Sequence, residues 1–231
     1  MQRRVEPELL DELPPDEPRA KHSRCDLRRA NRLMGHAEII ARHLATSGLK
    51  PTGGQILELG AGDGTLLLAV AQLVAPRWRG MNVVLVDKQS LVGVETRDGF
   101  HALGWEMEII KMDVFDWLRS DASIWNEVII ANLFLHHLSE KQLVELLRHV
   151  VGTTKLFVAC EPRRSWLPFA VSHLLWLVGC NSVTRHDAVI SVRAGFAGNE
   201  LSALWPNDGK WQLSERATGL FSHVFAAVRQ N

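Results

Sequence analysis

The chain has 231 residues, 46% of them hydrophobic, and 26 basic and 26 acidic side chains leave a formal net charge of zero. This length and apolar content fit one globular domain with a sizeable core, and a neutral balance gives no electrostatic reason to expect a nucleic-acid partner. The three cysteines, Cys25, Cys160 and Cys180, lack metal-ligand spacing, which favours free thiols in a reducing, cytoplasmic compartment.

Residues 1–48 are predicted to form an N-terminal leader followed by a lid helix. The first 20 residues are acidic and proline-bearing, which predicts an irregular or short-helical segment. From Asp26, apolar residues recur at helical spacing as far as Leu44, which predicts one amphipathic helix. Arg3 and Arg4 are followed by no apolar stretch, so we expect no secretory signal, and no segment reaches the length of a membrane span.

A glycine-rich turn follows the first buried strand. The apolar run Ile56–Leu59 contains Glu58 and leads into Gly60, Gly62 and Gly64, and an apolar helical segment, residues 66–74, comes next. Tight turns from a parallel strand into a helix bind nucleotide-like ligands in doubly wound α/β proteins. Thr65 stands where a dinucleotide fold would place its third glycine, and no Gly-Lys-Ser/Thr follows, so neither a dinucleotide nor a Walker loop is predicted.

Three more strand-and-loop segments follow in order. Residues 83–87 form an apolar strand that ends in Asp87, at the distance expected of a ribose-binding carboxylate. Residues 108–114 predict a third strand in which Asp113 accepts from an adenine amino group. Residues 128–138 predict a fourth strand and a ligand-facing loop that contains Asn132, His136 and His137.

In order and spacing, these four segments resemble motifs I to IV of the class I S-adenosylmethionine-dependent methyltransferases. The loop at residues 132–138 is similar to that of small-molecule enzymes of the ubiquinone and menaquinone biosynthesis type. The resemblance implies S-adenosylmethionine as cofactor and S-adenosylhomocysteine as product. It implies cofactor contacts at Glu58, Gly60, Ala61, Gly62, Asp63, Gly64, Asp87, Lys88, Asp113, Val114, Asn132 and Leu133.

The fold class that follows is α/β: a doubly wound, seven-stranded, mostly parallel sheet over residues 49–231, with N-terminal lid helices and a helical insertion at residues 165–206. A capping box at Ser139 and Gln142 predicts a helix after strand four. Residues 155–160 read as strand five. Residues 211–215 and 222–228 read as strands six and seven, a closing antiparallel pair.

Methyl transfer needs positioning and, for a hydroxyl acceptor, a general base. The candidate bases are His136, His137 and His186. Because adjacent residues at a strand end point to opposite sides, at most one of His136 and His137 should face the acceptor. A metal is not expected, since neighbouring histidines do not easily ligate one ion and no third ligand stands nearby in sequence.

The insertion is expected to cover the acceptor. Arg185, Trp166 and Trp176 are the candidate substrate contacts, although Arg185 to Asp187 also fits a polar turn between two helices. The apolar residues of this segment fit a pocket for an aromatic or lipophilic small molecule, a peripheral membrane contact, or simple completion of the core. The function predicted is methylation, at oxygen or carbon, of a small hydrophobic aromatic acceptor such as a phenol, quinone or polyketide.

Two alternatives stay open at this stage. One is a protein that binds S-adenosylmethionine but has lost catalysis. The other is a nucleic-acid methyltransferase, which the loop at Asn132 disfavours because it lacks the paired prolines that grip a flipped base. The sequence predicts no nucleic-acid partner and leaves the oligomeric state open.

Overall fold

The computed structural model describes residues 1–49, 51–89, 91–120, 125–206 and 208–230. A seven-stranded sheet forms its centre, in the order β3-β2-β1-β4-β5-β7-β6. The strands are β1 (Gln55–Leu59), β2 (Asn82–Asp87), β3 (Glu106–Lys111), β4 (Asn126–Asn132), β5 (Thr154–Pro162), β6 (Trp211–Thr218) and β7 (Ser222–Arg229). The first five run parallel, and β7 is antiparallel to both β5 and β6. The predicted fold class is confirmed.

Helices cover both faces of this sheet. They are α1 (Leu9–Glu12), α2 (Pro18–Met34), α3 (His36–Thr46), α4 (Thr65–Val74), α5 (Val94–Ala102), α6 (Val114–Arg119), α7 (Glu140–Thr153), α8 (Trp166–Ser172), α9 (Ser182–Ala194) and α10 (Glu200–Leu204). Two 3₁₀ turns, Leu135–His137 and Leu175–Val178, complete the set.

The alternation of side chains along each strand divides the core into two layers. Ile56 of β1 packs on one face against residues of α3, α4 and α5. Its neighbour Leu57 packs on the other face against residues of α6, α7 and α10. Because both faces are covered, the central strands are continuous apolar runs, which is the pattern typical of parallel sheets.

The strand order reverses between β1 and β4, which are neighbours in the sheet although they are not consecutive in the chain. Ile56 pairs with Val83 of β2 on one side and with Val128 of β4 on the other. At such a switch point the loops leave β1 and β4 in opposite directions and open a crevice at the carboxyl ends of the strands. Glu58, Asp87 and Asn132 all lie at this edge.

Three local predictions were wrong. The single helix predicted from Asp26 to Leu44 is divided between two lid helices, because Gly35 adopts a left-handed φ of 67° that ends α2 and starts α3. Strand β3 ends at Lys111, and Asp113 instead caps α6, its carboxylate accepting from the Phe115 N–H. Residues 185–187 lie inside α9, where the Asn181 side chain caps the helix by accepting from the Thr184 N–H, and not in a turn between helices.

The leader segment, residues 1–12, is held against the body of the protein. The Arg3 guanidinium donates to the carbonyls of Ala194 (2.8 Å) and Leu138 (2.8 Å), and more weakly to those of Leu135 and His136. Asp187 accepts from the N–H groups of Leu9 and Leu10 at 2.9 and 3.0 Å, which caps the start of α1 from another helix. The leader therefore connects α9 to the loop that follows β4.

None of the helices formed by the described residues is both long and apolar enough to cross a membrane.

We predict that Arg3→Gln lowers the free energy of unfolding by about 2 kcal/mol or more, because several backbone carbonyls lose a charged donor. Arg4→Gln is the matched control: the Arg4 side chain is 71% exposed and pairs with Glu6, an interaction worth roughly 0–1 kcal/mol. Urea unfolding of both variants checks this. Equal losses would show that the Arg3 contacts do not hold the leader.

Candidate functional site

The glycine loop after β1 combines tight packing with open space. Gly60, Gly62 and Gly64 have positive φ angles of 67°, 56° and 70°. A Cβ on Gly60 would lie 2.4 Å from the Phe134 ring, and one on Gly64 would lie 2.7 Å from Leu85. A Cβ on Gly62 would meet no described atom within 4 Å. Gly60 and Gly64 are thus required by neighbouring side chains, whereas Gly62 borders an open space above the loop.

Two aspartates fix this loop. Asp87, at the end of β2, accepts from the Gly62 N–H at 2.9 Å and from the Gln89 N–H at 2.8 Å. Asp63 accepts from the backbone and the hydroxyl of Thr65 at the start of α4. Ala61, in the same loop, is buried in the core. Each ionised carboxylate has capacity for further donors, because it offers about four acceptor sites.

Two buried oxygen atoms beside the loop are unpaired. Glu58 is 2% exposed and Asn132 is 8% exposed. Glu58 Oε2 has no hydrogen-bond partner among the described residues, and Asn132 Oδ1 has none with good geometry. Burial lowers the pKa of His36 to about 4, and a weak side-chain interaction with Asn132 partly opposes that shift. Burial raises the pKa of Glu58 well above its ordinary value, and the negative charges of Asp63 and Asp87 raise it further. Unpaired buried acceptors are costly in a folded protein, so this pair marks a place where a donor is expected to bind.

The side chains predicted to border the adenine already bond to other groups of the protein. Burial opposes ionisation of Asp113, but hydrogen bonds from Lys88 and the Phe115 N–H outweigh it and lower the pKa of Asp113. Lys88 Nζ lies 3.0 Å from Asp113 Oδ2. Val114 is not a strand residue: it opens α6 and its side chain lies in the core. Lys88 and Asp113 border the crevice as a pair.

The residue after β4 has an unusual backbone. Leu133 is the one non-glycine residue with a positive φ, 50°, in the described parts of the chain. Its N–H donates to the Cys160 carbonyl at 3.0 Å, and the next residue, Phe134, packs on Gly60. Such a conformation costs about 1–3 kcal/mol and is found mostly where surrounding contacts enforce it, often at functional sites.

The lid helix α2 contacts the same edge. Arg28 forms an ion pair with Asp63 at 2.7 Å, and Arg24 donates to Gln89 at 3.0 Å. Asn132 donates to Asn31 at 3.4 Å. These contacts place α2 over the glycine loop and the end of β4.

His136 is buried between two carboxylates. It is 3% exposed, its Nδ1 lies 2.8 Å from Glu161, and its Nε2 lies 3.3 Å from Glu8. Burial opposes its charge, but the two carboxylates outweigh burial and raise the pKa of His136 to about 9. A protonated imidazole cannot accept the acceptor's proton, so this environment disfavours His136 as the base, and its role stays a prediction.

The other two candidate histidines lie around the leader. His137 does not point away from His136: both belong to the 3₁₀ turn, and their ring centroids are 4.1 Å apart. Burial and the charge of His136 lower the pKa of His137, and its Nδ1 lies 3.4 Å from Asp11. His186 is half exposed on α9, and its Nδ1 lies 3.0 Å from the buried Asp187 carboxylate.

The predicted substrate contacts lie at the surface. Arg185 is exposed and donates to the Asn181 carbonyl of its own helix. Trp166 and Trp176 are 73% and 57% exposed. They belong to a group of exposed apolar residues in the insertion, which also includes Leu167, Leu174, Leu177 and Val178. Their contact with an acceptor stays a prediction.

Two buried acids of this region were missed from the sequence. Glu161, the penultimate residue of β5, is fully buried and accepts from the N–H groups of Phe134, Leu135 and His136. Glu8 comes from the leader, 128 residues before its partner His136. The acid in Glu161-Pro162 at a strand end was a usable signal, but nothing local indicated Glu8.

The sequence matches no protein-family model and none of the curated proteins. Similar solved structures do exist. The plantazolicin methyltransferase BpumL in complex with S-adenosylhomocysteine has a TM-score of 0.63 at 12% identity, covering 93% of this chain and 92% of that one. The chain has the class I methyltransferase fold.

Two further structures agree with this fold. The magnesium protoporphyrin IX methyltransferase of Synechocystis PCC 6803, with S-adenosylhomocysteine bound, has a TM-score of 0.54 at 13% identity, covering 85% of this chain and 83% of that one. The mitomycin 7-O-methyltransferase MmcR has a TM-score of 0.62 at 18% identity, covering 95% of this chain and 60% of that one.

Glu58→Gln should stabilise the protein at pH 8 but not at pH 4. The unfolded glutamate ionises above about pH 4.3, whereas the folded one holds its proton to a higher pH, so rising pH favours unfolding. Glutamine cannot ionise, so the variant does not lose this part of its stability as the pH rises. Melting temperatures from pH 4 to 8 test the prediction, with the exposed Glu108→Gln as control. A difference that does not grow with pH would contradict it.

Proposed function

We propose that this protein transfers a methyl group from S-adenosylmethionine to a small hydrophobic aromatic acceptor, such as a phenol, a quinone or a polyketide, at oxygen or carbon. The observation that carries the proposal is the pair of unpaired buried oxygens, Glu58 Oε2 and Asn132 Oδ1, next to the open space at Gly62. Both sit at the switch point of a sheet with the class I methyltransferase fold.

The residues present fit this cofactor. Its methionine end carries an ammonium group, which donates up to three hydrogen bonds and neutralises a buried carboxylate, so Glu58 and Asn132 are the matching acceptors. Asp87 would accept from the ribose hydroxyls, with Gly62 beneath the methionine portion. Asp113 and Lys88 would border the adenine, with Leu133 at the rim. S-adenosylhomocysteine, the product, keeps all of these groups.

The names of the similar proteins support the choice of a small-molecule acceptor. They are named for methyl transfer to plantazolicin, to magnesium protoporphyrin IX and to the 7-oxygen of mitomycin. A formal net charge of zero argues against a nucleic acid as the acceptor. Free cysteines, including the half-buried Cys25 and Cys180, fit a reducing compartment, and we propose the cytoplasm.

The bound cofactor supplies an electrophilic methyl group on its sulfonium. The chain's task is to align the acceptor with that methyl group, which is worth several kcal/mol, and to take a proton when the acceptor is a hydroxyl. The proposed base is His186, whose Nδ1 lies 3.0 Å from Asp187, an arrangement that would leave Nε2 to accept the proton. His136 is disfavoured as the base, because both of its nitrogens face carboxylates.

Gly62→Ala should weaken binding of S-adenosylhomocysteine at least tenfold, since the new methyl group enters the space assigned to the ligand. Gly80→Ala is a closely matched control: its φ is 59°, its Cβ meets no described atom within 4 Å, and it lies before the opposite end of β2. Both variants should lose roughly 1–2 kcal/mol of stability from the left-handed backbone. Calorimetric titration that finds equal affinity in the two variants would contradict the proposed site.

His186→Gln should lower turnover on a phenolic acceptor by roughly 10²–10⁴-fold and leave cofactor affinity nearly unchanged. His173→Gln, another exposed histidine of the insertion, is the control and should keep parental turnover. A methyl-donor assay over a panel of phenols and quinones gives both values. Parental turnover in His186→Gln would mean that positioning alone carries the reaction.

A further inference from the structure

A compact group of metal-ligating side chains lies between the leader and the loop after β4. The ligand atoms of Glu8, His136 and His137 all lie within 4.8 Å of one another. Glu8 Oε1 is 3.3 Å from His136 Nε2, and Asp11 Oδ2 is 3.4 Å from His137 Nδ1. At the sequence level no third ligand stands near the histidine pair, and the folded leader provides one.

We propose that Glu8, His136 and His137 form a binding site for a divalent transition-metal ion, best suited to Zn²⁺, with a fourth position left for water. The proposal is independent of the methyltransferase function and reverses the expectation of no metal drawn from the sequence.

The spacing of the ligand atoms is compatible with a shared ion. Zinc bonds to nitrogen and oxygen are about 2.0–2.2 Å long in tetrahedral sites, which places neighbouring ligand atoms about 3.3–3.6 Å apart. Glu8 Oε1 and His136 Nε2 lie 3.3 Å apart, and His137 completes a group whose ligand atoms lie within 4.8 Å of one another. Two histidines with one or two carboxylates are a donor set that zinc binds in proteins.

Glu161 orients His136, as a carboxylate commonly does for a metal-binding histidine. Its carboxylate lies 2.8 Å from His136 Nδ1 and is fixed by the N–H groups of Phe134 and Leu135 at 3.1 and 2.8 Å. A carboxylate that accepts the other N–H of a histidine orients the ring, selects its tautomer and raises its basicity toward a metal. This arrangement directs Nε2 of His136 at Glu8.

The carboxylates around the two histidines also suit a cation. They are Glu8, Asp11, Glu161 and Asp187. A divalent ion held by Glu8 and the histidines would tie the leader to the loop after β4.

The test is titration of the chelator-treated full-length protein with Zn²⁺ by calorimetry and with Co²⁺ by visible absorption. We expect one equivalent to bind, with the intense visible bands of four-coordinate Co²⁺ and no thiolate charge-transfer band. Glu8→Gln and His137→Gln should each weaken binding at least tenfold, and Glu161→Gln by about 10–100-fold. His101→Gln, an exposed histidine on α5, is the matched control and should bind as the parent does.

Circular dichroism of each variant separates loss of ligands from loss of fold, and the less disruptive Asp11→Asn provides a further variant at the exposed side of the site. Failure of the parental protein to bind either ion overturns the proposal. So does equal binding by the parent, Glu8→Gln and His137→Gln, which would mean that the histidine and the two carboxylates form only an ion-paired cluster. Titration of the same samples with S-adenosylhomocysteine reports on the methyltransferase proposal separately.

Discussion

The burial of Glu58 at the reversal point of the sheet is the constraint on which the rest of the site depends. A parallel strand covered on both faces places its last residues where water is excluded, and there an acid is hard to ionise. Around it the chain provides backbone N–H groups, glycine turns and further acids, but no partner for Glu58 Oε2 among the described residues. An acid left unpaired in this way costs stability, which is commonly the case where a ligand completes the structure.

The second half of the site depends on another buried acid. Glu161 of β5 gathers the N–H groups of the loop after β4 and fixes His136. Phe134 of this loop packs on Gly60, and this contact links the 3₁₀ turn Leu135–His137 to the glycine loop. The leader then packs on this assembly through Glu8 and Arg3. The arrangement explains how residues far apart in sequence become neighbours at one edge of the sheet.

The sequence predicted what short-range patterns determine. The strands, the glycine loop and the capping box at Ser139 follow from local periodicity and turn chemistry, and all appear in the structure. Gly35 was passed over because the apolar spacing continues across it, although a glycine followed by a second amphipathic run is the usual sign of a helix end. Asn181 was a readable cap for α9, since its side chain accepts from Thr184 three residues later.

Other features were beyond the reach of local patterns. The contact between Glu8 and His136 spans 128 residues and depends on how the leader folds back over α9. The raised pKa of His136 follows from two carboxylates that meet only in the folded chain, so an environment that disfavours it as a base could not be read from the sequence. Exposure of Trp166 and Trp176 likewise depends on tertiary packing, because apolar composition alone does not distinguish a pocket wall from an outer surface.

Calorimetric titration of the parental protein with S-adenosylhomocysteine, in two buffers of different ionisation enthalpy, tests the central claim most directly. Because burial raises the pKa of Glu58 in the free protein and the ligand's ammonium group would lower it again, one-site binding should release up to about one proton per ligand at a pH between the two pKa values, and the heat there should depend on the buffer. In Glu58→Gln that dependence should disappear. The account is contradicted if the parental protein does not bind the ligand, or if it binds with the same heat in both buffers.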